Sequence, residues 1–199
     1  MNPINSLIMK IVKLTPSDDL LIYDDFLVRG MSHEEHRRKA KERLKFALIT
    51  VSTSRYENSA LQDKSGDLAK DLIQEKGHKL VYRDLIPDDM IKIRSTLYNI
   101  LNEGLTDVVL LIGGTGASSS DVTTESVEPL LDKTFLGFGE LFRLRGYEEI
   151  GAASLLSRAL MGTIKGRVIL CLPGSEGAVR LGLNIILDEL PHLVSIAQG

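Results

Sequence analysis

The chain has 199 residues and a mass of 22.0 kDa, enough for one domain with a substantial core. A net charge of −3, with 43% hydrophobic and 26% charged residues, leaves no concentrated basic surface for a nucleic-acid partner, and no charge-free apolar stretch reaches the length of a membrane span. Cys171 is the single cysteine, so an intrachain disulfide is excluded and no zinc cluster is expected.

Taken in chain order, residues 1–30 read as an N-terminal extension. Its short apolar start soon meets Asp18, Asp19, Asp24 and Asp25 and lacks a small-residue cleavage signal, which points to a cytoplasmic protein. Ser32-His33-Glu34-Glu35 is a capping box opening a charged helix through Arg43, so the ordered domain is expected over residues 31–199. From Phe46 onward, short apolar runs alternate with amphipathic segments of helix length, the pattern of a parallel sheet with helices on its faces. Phe46 to Val51 is a first buried strand. A helix from about Ser65 to Gly77 turns Leu68, Leu72 and Ile73 inward, and Lys79 to Leu85 is the second strand. Pro87 and Asp88 open the next helix, with Asp88 suited to be its N-cap, and Gly104 closes it. Asp107 to Ile112 is the third strand. Thr123 is expected to cap a helix through Leu131, and the glycines of Phe135 to Glu140 predict an irregular turn. Short helices are predicted around Leu141 to Arg145 and Ala152 to Met161, then a last buried strand, Arg167 to Leu172, and a helix ending near Leu187.

The third strand runs into Gly113-Gly114-Thr115-Gly116 and then a serine-rich stretch ending at Asp121. Glycines there allow a sharp turn and close approach to a ligand, and the N–H groups at the following helix start point at negative charge. Asp121 would oppose an anion unless a divalent cation, most often Mg²⁺, lay between them. A P-loop is excluded because no Lys follows Gly116, and a dinucleotide fingerprint is disfavoured by Ser119 at the third glycine position. Two further polar clusters follow strands: Ser52, Thr53, Ser54 and Arg55 after the first, and Pro173-Gly174-Ser175 after the last. Asp88, after the second, can join them. Ligands of open parallel sheets bind beyond the carboxyl ends of the strands, and repetition of one chemistry there favours a binding site over a set of connectors.

From Phe46 to Leu193 the chain resembles the MoaB/MogA family of molybdenum cofactor biosynthesis proteins. The residues carrying the resemblance are Gly113-Gly114-Thr115-Gly116 with Asp121-Val122-Thr123, Gly137-Phe138-Gly139-Glu140, Ser157-Arg158 and Leu172-Pro173-Gly174-Ser175. Met31-Ser32-His33-Glu34-Glu35-His36 is similar to the start of archaeal MoaB proteins. The resemblance implies a three-layer α/β/α molybdopterin-binding fold, assembled as a homo-trimer or homo-hexamer. It also implies an adenylyltransferase that joins ATP to molybdopterin with Mg²⁺ as cofactor, releasing pyrophosphate.

The residues matching the family's required groups are Asp88, Asp121 and Ser157, the two carboxylates also being the expected metal ligands. Substrate phosphates are expected at Ser52, Gly113, Gly114, Thr115, Gly116, Thr123, Glu140, Arg158, Pro173, Gly174 and Ser175. A noncatalytic molybdopterin binder or carrier on the same scaffold is the alternative, favoured by Ser120 and Gly177 standing where many relatives carry a cation.

Overall fold

The structure, a computed structural model, describes residues 43–199. The expected capping box and charged helix of residues 32–43, and the extension before them, lie outside the described residues except at Arg43.

The strand Lys45–Val51 (β1) is apolar on both faces, and Phe46 to Ile49 are completely buried, as a central strand requires. Thr53–Glu57 (α1) and Lys64–Glu75 (α2) lead to Lys79–Ile86 (β2). Met90–Glu103 (α3) returns the chain to Val108–Ile112 (β3), and Thr123–Val127 (α4) continues as a 3-10 turn over Glu128–Leu130. The two-residue strand Lys133–Thr134 (β4), the helix Leu136–Ile150 (α5) and a 3-10 segment over Gly151–Leu156 follow. Leu160–Ile164 (β5), Arg167–Leu172 (β6), Glu176–Ile186 (α6) and Leu190–Gln198 (α7) complete the chain.

The six strands lie in the order β2-β1-β3-β6-β5-β4. β2, β1, β3 and β6 are mutually parallel, whereas β5 is antiparallel to both β6 and β4, so the sheet is mostly parallel as expected. Alternation along the strands divides the core. Phe46, Leu48, Leu110 and Leu170 pack with α2, α5, α6 and α7 on one face, and Ala47, Ile49, Leu111 and Ile169 pack with α3 and α4 on the other. This is a three-layer α/β/α fold. The chain runs from β1 out to β2 and then crosses back to β3 on the other side of β1, which opens a crevice between the carboxyl ends of β1 and β3.

The second half departs from the sequence reading. Phe135 to Glu140 is no irregular turn, because Leu136 to Ile150 form one continuous helix with Gly137 and Gly139 inside it. A side chain on Gly139 would come within 2.9 Å of the Ala159 carbonyl, so this glycine permits close helix–strand packing. The expected helix of Ala152 to Met161 is a 3-10 segment followed by β5. β5 and β6 form a hairpin across Lys165 (φ 47) and Gly166 (φ 74), a pair of positive-φ residues of the type I′ kind. Thr123 is the first residue of α4 rather than its cap, and that helix ends at Val127 instead of Leu131.

Buried groups carry little chemistry. Burial pushes the Cys171 thiol up to about 12, so it behaves as a small core side chain. His78 stacks on Phe46 with ring centroids 5.4 Å apart, and its Nδ1 accepts from the Leu44 N–H at 3.4 Å. Burial holds His78 below its ordinary value of 6.5, outweighing a backbone hydrogen bond to Leu187 that favours the charged ring. With the folded value depressed, the unfolded chain binds more protons below about pH 6.5. The contribution of neutral His78 is therefore complete above that pH and is lost as pH falls through the folded value. Urea unfolding at stepped pH should show wild type losing stability relative to His78→Gln below this point and running parallel to it above; parallel curves throughout would show that His78 does not titrate on unfolding.

Candidate functional site

The crevice at the strand-order switch is a cleft of about 430 Å³ fed by the ends of all four parallel strands. After β1, Ser52 caps α1 by accepting from the Arg55 N–H at 3.5 Å, and both residues line the cleft. After β2, the Asp88 carboxylate turns back toward α1. Its Oδ2 accepts from the Thr53 N–H at 2.7 Å and from Thr53 Oγ1 at 2.9 Å, while Thr53 Oγ1 accepts from the Asp88 N–H at 2.9 Å. Asp88 is therefore not the helix cap. That duty falls to Asp89, which accepts from the Lys92 N–H at 2.6 Å, one residue later than the sequence pattern placed it.

After β3, Gly113 and Gly114 adopt φ values of 101° and 62°, which non-glycine residues rarely take. Gly113 N–H donates to the Leu172 carbonyl at 2.9 Å, tying this turn to the end of β6. A side chain at Gly114 would come within 2.8 Å of Asp88 Oδ1, and one at Gly116 within 2.7 Å of Asp121 Oδ2. Both carboxylates thus lie against glycine backbone, and a side chain at either position would have to displace the carboxylate beside it. Asp121 Oδ2 accepts from the Ser118 N–H at 3.0 Å and the Asp121 N–H donates to the Ser118 carbonyl at 3.0 Å, closing the serine-rich loop on itself. Oδ1 of Asp88 and Oδ1 of Asp121 accept no hydrogen bond from the described residues.

Thr115 and Gly116 continue the glycine wall, Pro173 and Gly174 line the cleft after β6, and Ser157 reaches it from the end of the 3-10 segment. Gly174 abuts Gly113, a Cβ on the former lying 3.4 Å from the Cα of the latter.

Four of the expected substrate contacts are placed elsewhere. Ser175 caps α6, accepting from the Ala178 N–H at 3.2 Å. Thr123 is fully buried beneath the glycine turn, its Oγ1 without a partner among the described residues. Glu140 is exposed on α5 and does not line the cleft. Arg158 does not line it either. Its Nε donates to the Thr115 carbonyl at 3.0 Å, Nη2 donates to the Asp121 carbonyl at 3.3 Å, and both terminal nitrogens engage Glu125. That pairing holds the Glu125 carboxyl below its usual value.

Arg55, Leu156 and Val51 line the cleft and were not among the expected site residues. Arg55 is the one cationic side chain lining it among the described residues. The sign of it in the sequence was its place in the polar cluster after the first strand. Leu156 and Val51 carried no sign, being apolar residues at element ends.

Among the described residues, a glycine-turn cleft at a switch point, lined by one cation and two half-anchored carboxylates, thus sits at one edge of an α/β/α fold. The family model described as a probable molybdopterin binding domain matches residues 47–192. The chain is 44% identical over 165 residues to molybdenum cofactor biosynthesis protein B of Bacillus cereus, an alignment covering 82% of this chain and 96% of that one. It is 41% identical over 172 residues to the molybdopterin adenylyltransferase of Pyrococcus furiosus, covering 84% and 99%. The crystal structure of the tungsten cofactor synthesizing protein MoaB from Pyrococcus furiosus superposes with a TM-score of 0.75 at 39% identity, covering 80% of this chain and all (100%) of that one. This chain belongs to the MoaB/MogA family of molybdenum cofactor biosynthesis proteins.

Proposed function

We propose that this protein is a molybdopterin adenylyltransferase that joins ATP to molybdopterin with Mg²⁺ as cofactor, which Asp88 and Asp121 would hold. The observation that carries the reading is the delivery of these two carboxylates from separate strand ends into one cleft, each with Oδ2 anchored and Oδ1 left for a ligand. In the reaction a terminal oxygen of the molybdopterin phosphate bonds to the α-phosphorus of ATP, and the bond from that phosphorus to the α,β-bridging oxygen breaks, with pyrophosphate leaving. No general base is needed, because the nucleophile is already ionised.

Two negatively charged reactants must be brought together, so the work of the site is positioning and charge stabilisation. Hard carboxylate oxygens suit Mg²⁺, and Asp88 and Asp121, each with Oδ1 accepting no hydrogen bond from the described residues, would hold it. When bound, Mg²⁺ neutralises phosphate charge and polarises the α-phosphoryl group. Arg55 supplies a forked cation to one phosphate, the backbone of Gly113 to Gly116 and of Gly174 allows phosphate oxygens to approach closely, and Ser157 donates a hydrogen bond.

The second reading, a noncatalytic molybdopterin binder or carrier, draws on one observation: among the described residues Arg55 alone brings a cation to the cleft lining. The oligomer belongs to the proposal as well. Leu136, Leu144, Tyr147, Ile150 and Leu155 are exposed on α5 and the 3-10 segment after it, an apolar surface suited to contacts between copies in a homo-trimer or homo-hexamer. We further assign residues 31–199 to the domain, residues 1–30 to an extension and the protein to the cytoplasm. No helix among the described residues is long and apolar enough to cross a membrane.

Anaerobic incubation of the purified protein with molybdopterin, ATP and Mg²⁺ is expected to release pyrophosphate and form adenylyl-molybdopterin in equal amounts. Tight molybdopterin binding with no pyrophosphate would replace the enzyme by the carrier.

A further inference from the structure

We infer that Arg158 is a positioning residue that holds Asp121 and Ser157 in one constellation, with Glu125 as the group that orients it. The inference rests on reading the cleft as the adenylyl-transfer site. Arg158 follows Ser157 directly in the chain, so whatever fixes its guanidinium also fixes the end of the 3-10 segment that carries Ser157 into the cleft. That guanidinium spans the glycine loop, from the Thr115 carbonyl at one end to the Asp121 carbonyl at the other. One planar cation thereby ties two walls of the cleft together.

Glu125 sets the direction of the fork. It sits on α4 and meets both terminal nitrogens of Arg158. Its own helix is braced from α3, where Arg94 donates from Nε to the Ser126 carbonyl and from Nη2 to the Glu125 carbonyl, both at 3.1 Å. The line of support therefore runs from α3 through α4 to Arg158 and onto the loop. Neither Arg158 nor Glu125 lines the cleft, so their influence on substrate passes through Asp121 and Ser157.

The loop depends on such a clamp. Residues 117–120 are all exposed and bury no apolar side chain, and the backbone tie across Ser118 and Asp121 is local. A displacement of about 1 Å at a reacting group is enough to cost about a hundredfold in rate.

Arg158→Ala is expected to lower kcat by about a hundredfold while KM for ATP and for molybdopterin stays within about threefold. Amide exchange at Ser118 and Asp121 should accelerate by about tenfold or more, with the central strand residue Leu110 unchanged. Glu125→Gln should move the same quantities in the same direction by less. Arg158→Lys, which keeps the charge but cannot reproduce the planar fork, should fall between wild type and Ala, and it carries the test if the Ala variant does not fold. A rise in KM or in the dissociation constant for ATP, with loop exchange unchanged, would overturn the inference and make Arg158 a substrate ligand. Unchanged exchange and unchanged kinetics would also overturn it. If wild type gives no pyrophosphate, the functional reading fails, and the exchange measurement alone still decides whether the clamp exists.

Discussion

Asp121→Asn is expected to lower adenylylation by about a thousandfold, roughly 4 kcal/mol of transition-state stabilisation, while the melting temperature shifts by no more than about 3 °C. The separation follows from the geometry. An asparagine retains an oxygen that accepts from the Ser118 N–H, so the turn closing the loop survives, but it brings no negative charge with which to hold a cation. Steady-state pyrophosphate release and a thermal scan on the same preparation check both halves. Loss of folding with loss of activity would show that the carboxylate is needed to close the loop, and full activity would remove Asp121 from the chemistry.

Gly113→Ala is expected to destabilise the fold by about 2–4 kcal/mol and to abolish ligand binding in whatever fraction still folds. Two costs coincide at this position. The backbone at φ 101° is strained for any residue with a Cβ, and that Cβ would run into the Val51 carbonyl at the end of β1. Relief requires β1 and β3 to separate at the switch point, where the cleft is formed. Urea unfolding measures the stability, and calorimetric titration with ATP and Mg²⁺ measures the binding. A variant that loses less than about 1 kcal/mol and still binds would show that the turn can move without cost.

The sequence showed the parallel half of the fold far better than the antiparallel half. Central strands buried on both faces leave continuous apolar runs, and Phe46 to Val51 and Arg167 to Leu172 were readable for that reason. Leu160 to Ile164 is equally buried but short and interrupted by Gly162 and Thr163, so it leaves no continuous apolar run and its start reads as the end of a helix from Ala152. Lys165-Gly166 was the available sign of a hairpin. Gly139 misled because glycine marks a turn and a close helix contact alike, and only its packing against the Ala159 carbonyl distinguishes them, while Gly137 faces open space inside the same helix.

At the site, residue types at strand ends pointed to Asp88, Asp121 and the glycine turn, while Ser157 was reachable only through the family resemblance; all of them line one cleft. Which of two adjacent aspartates would cap α3 was beyond reach, because Asp88 and Asp89 differ only in the tertiary partner that Thr53 provides. Arg158 was legible as a forked donor, but its acceptors are backbone carbonyls brought near by folding, and a sequence pattern does not record them.

The pairing of β3 with β6 aligns Val108 with Val168 and Ile112 with Leu172, across most of the second half of the chain. During synthesis β1, β2 and β3 can associate first, but β3 then presents an open parallel edge until the final strand is released from the ribosome. Pro173 and Gly174 are supplied only after that wait, so the cleft closes late and a nascent chain stopped before Leu172 offers a sticky sheet with an unfinished site. The same order makes this protein dependent on protection of that edge while it is being made, and sensitive to truncation at its C-terminal end far more than the distance of that end from Asp121 in the sequence would imply.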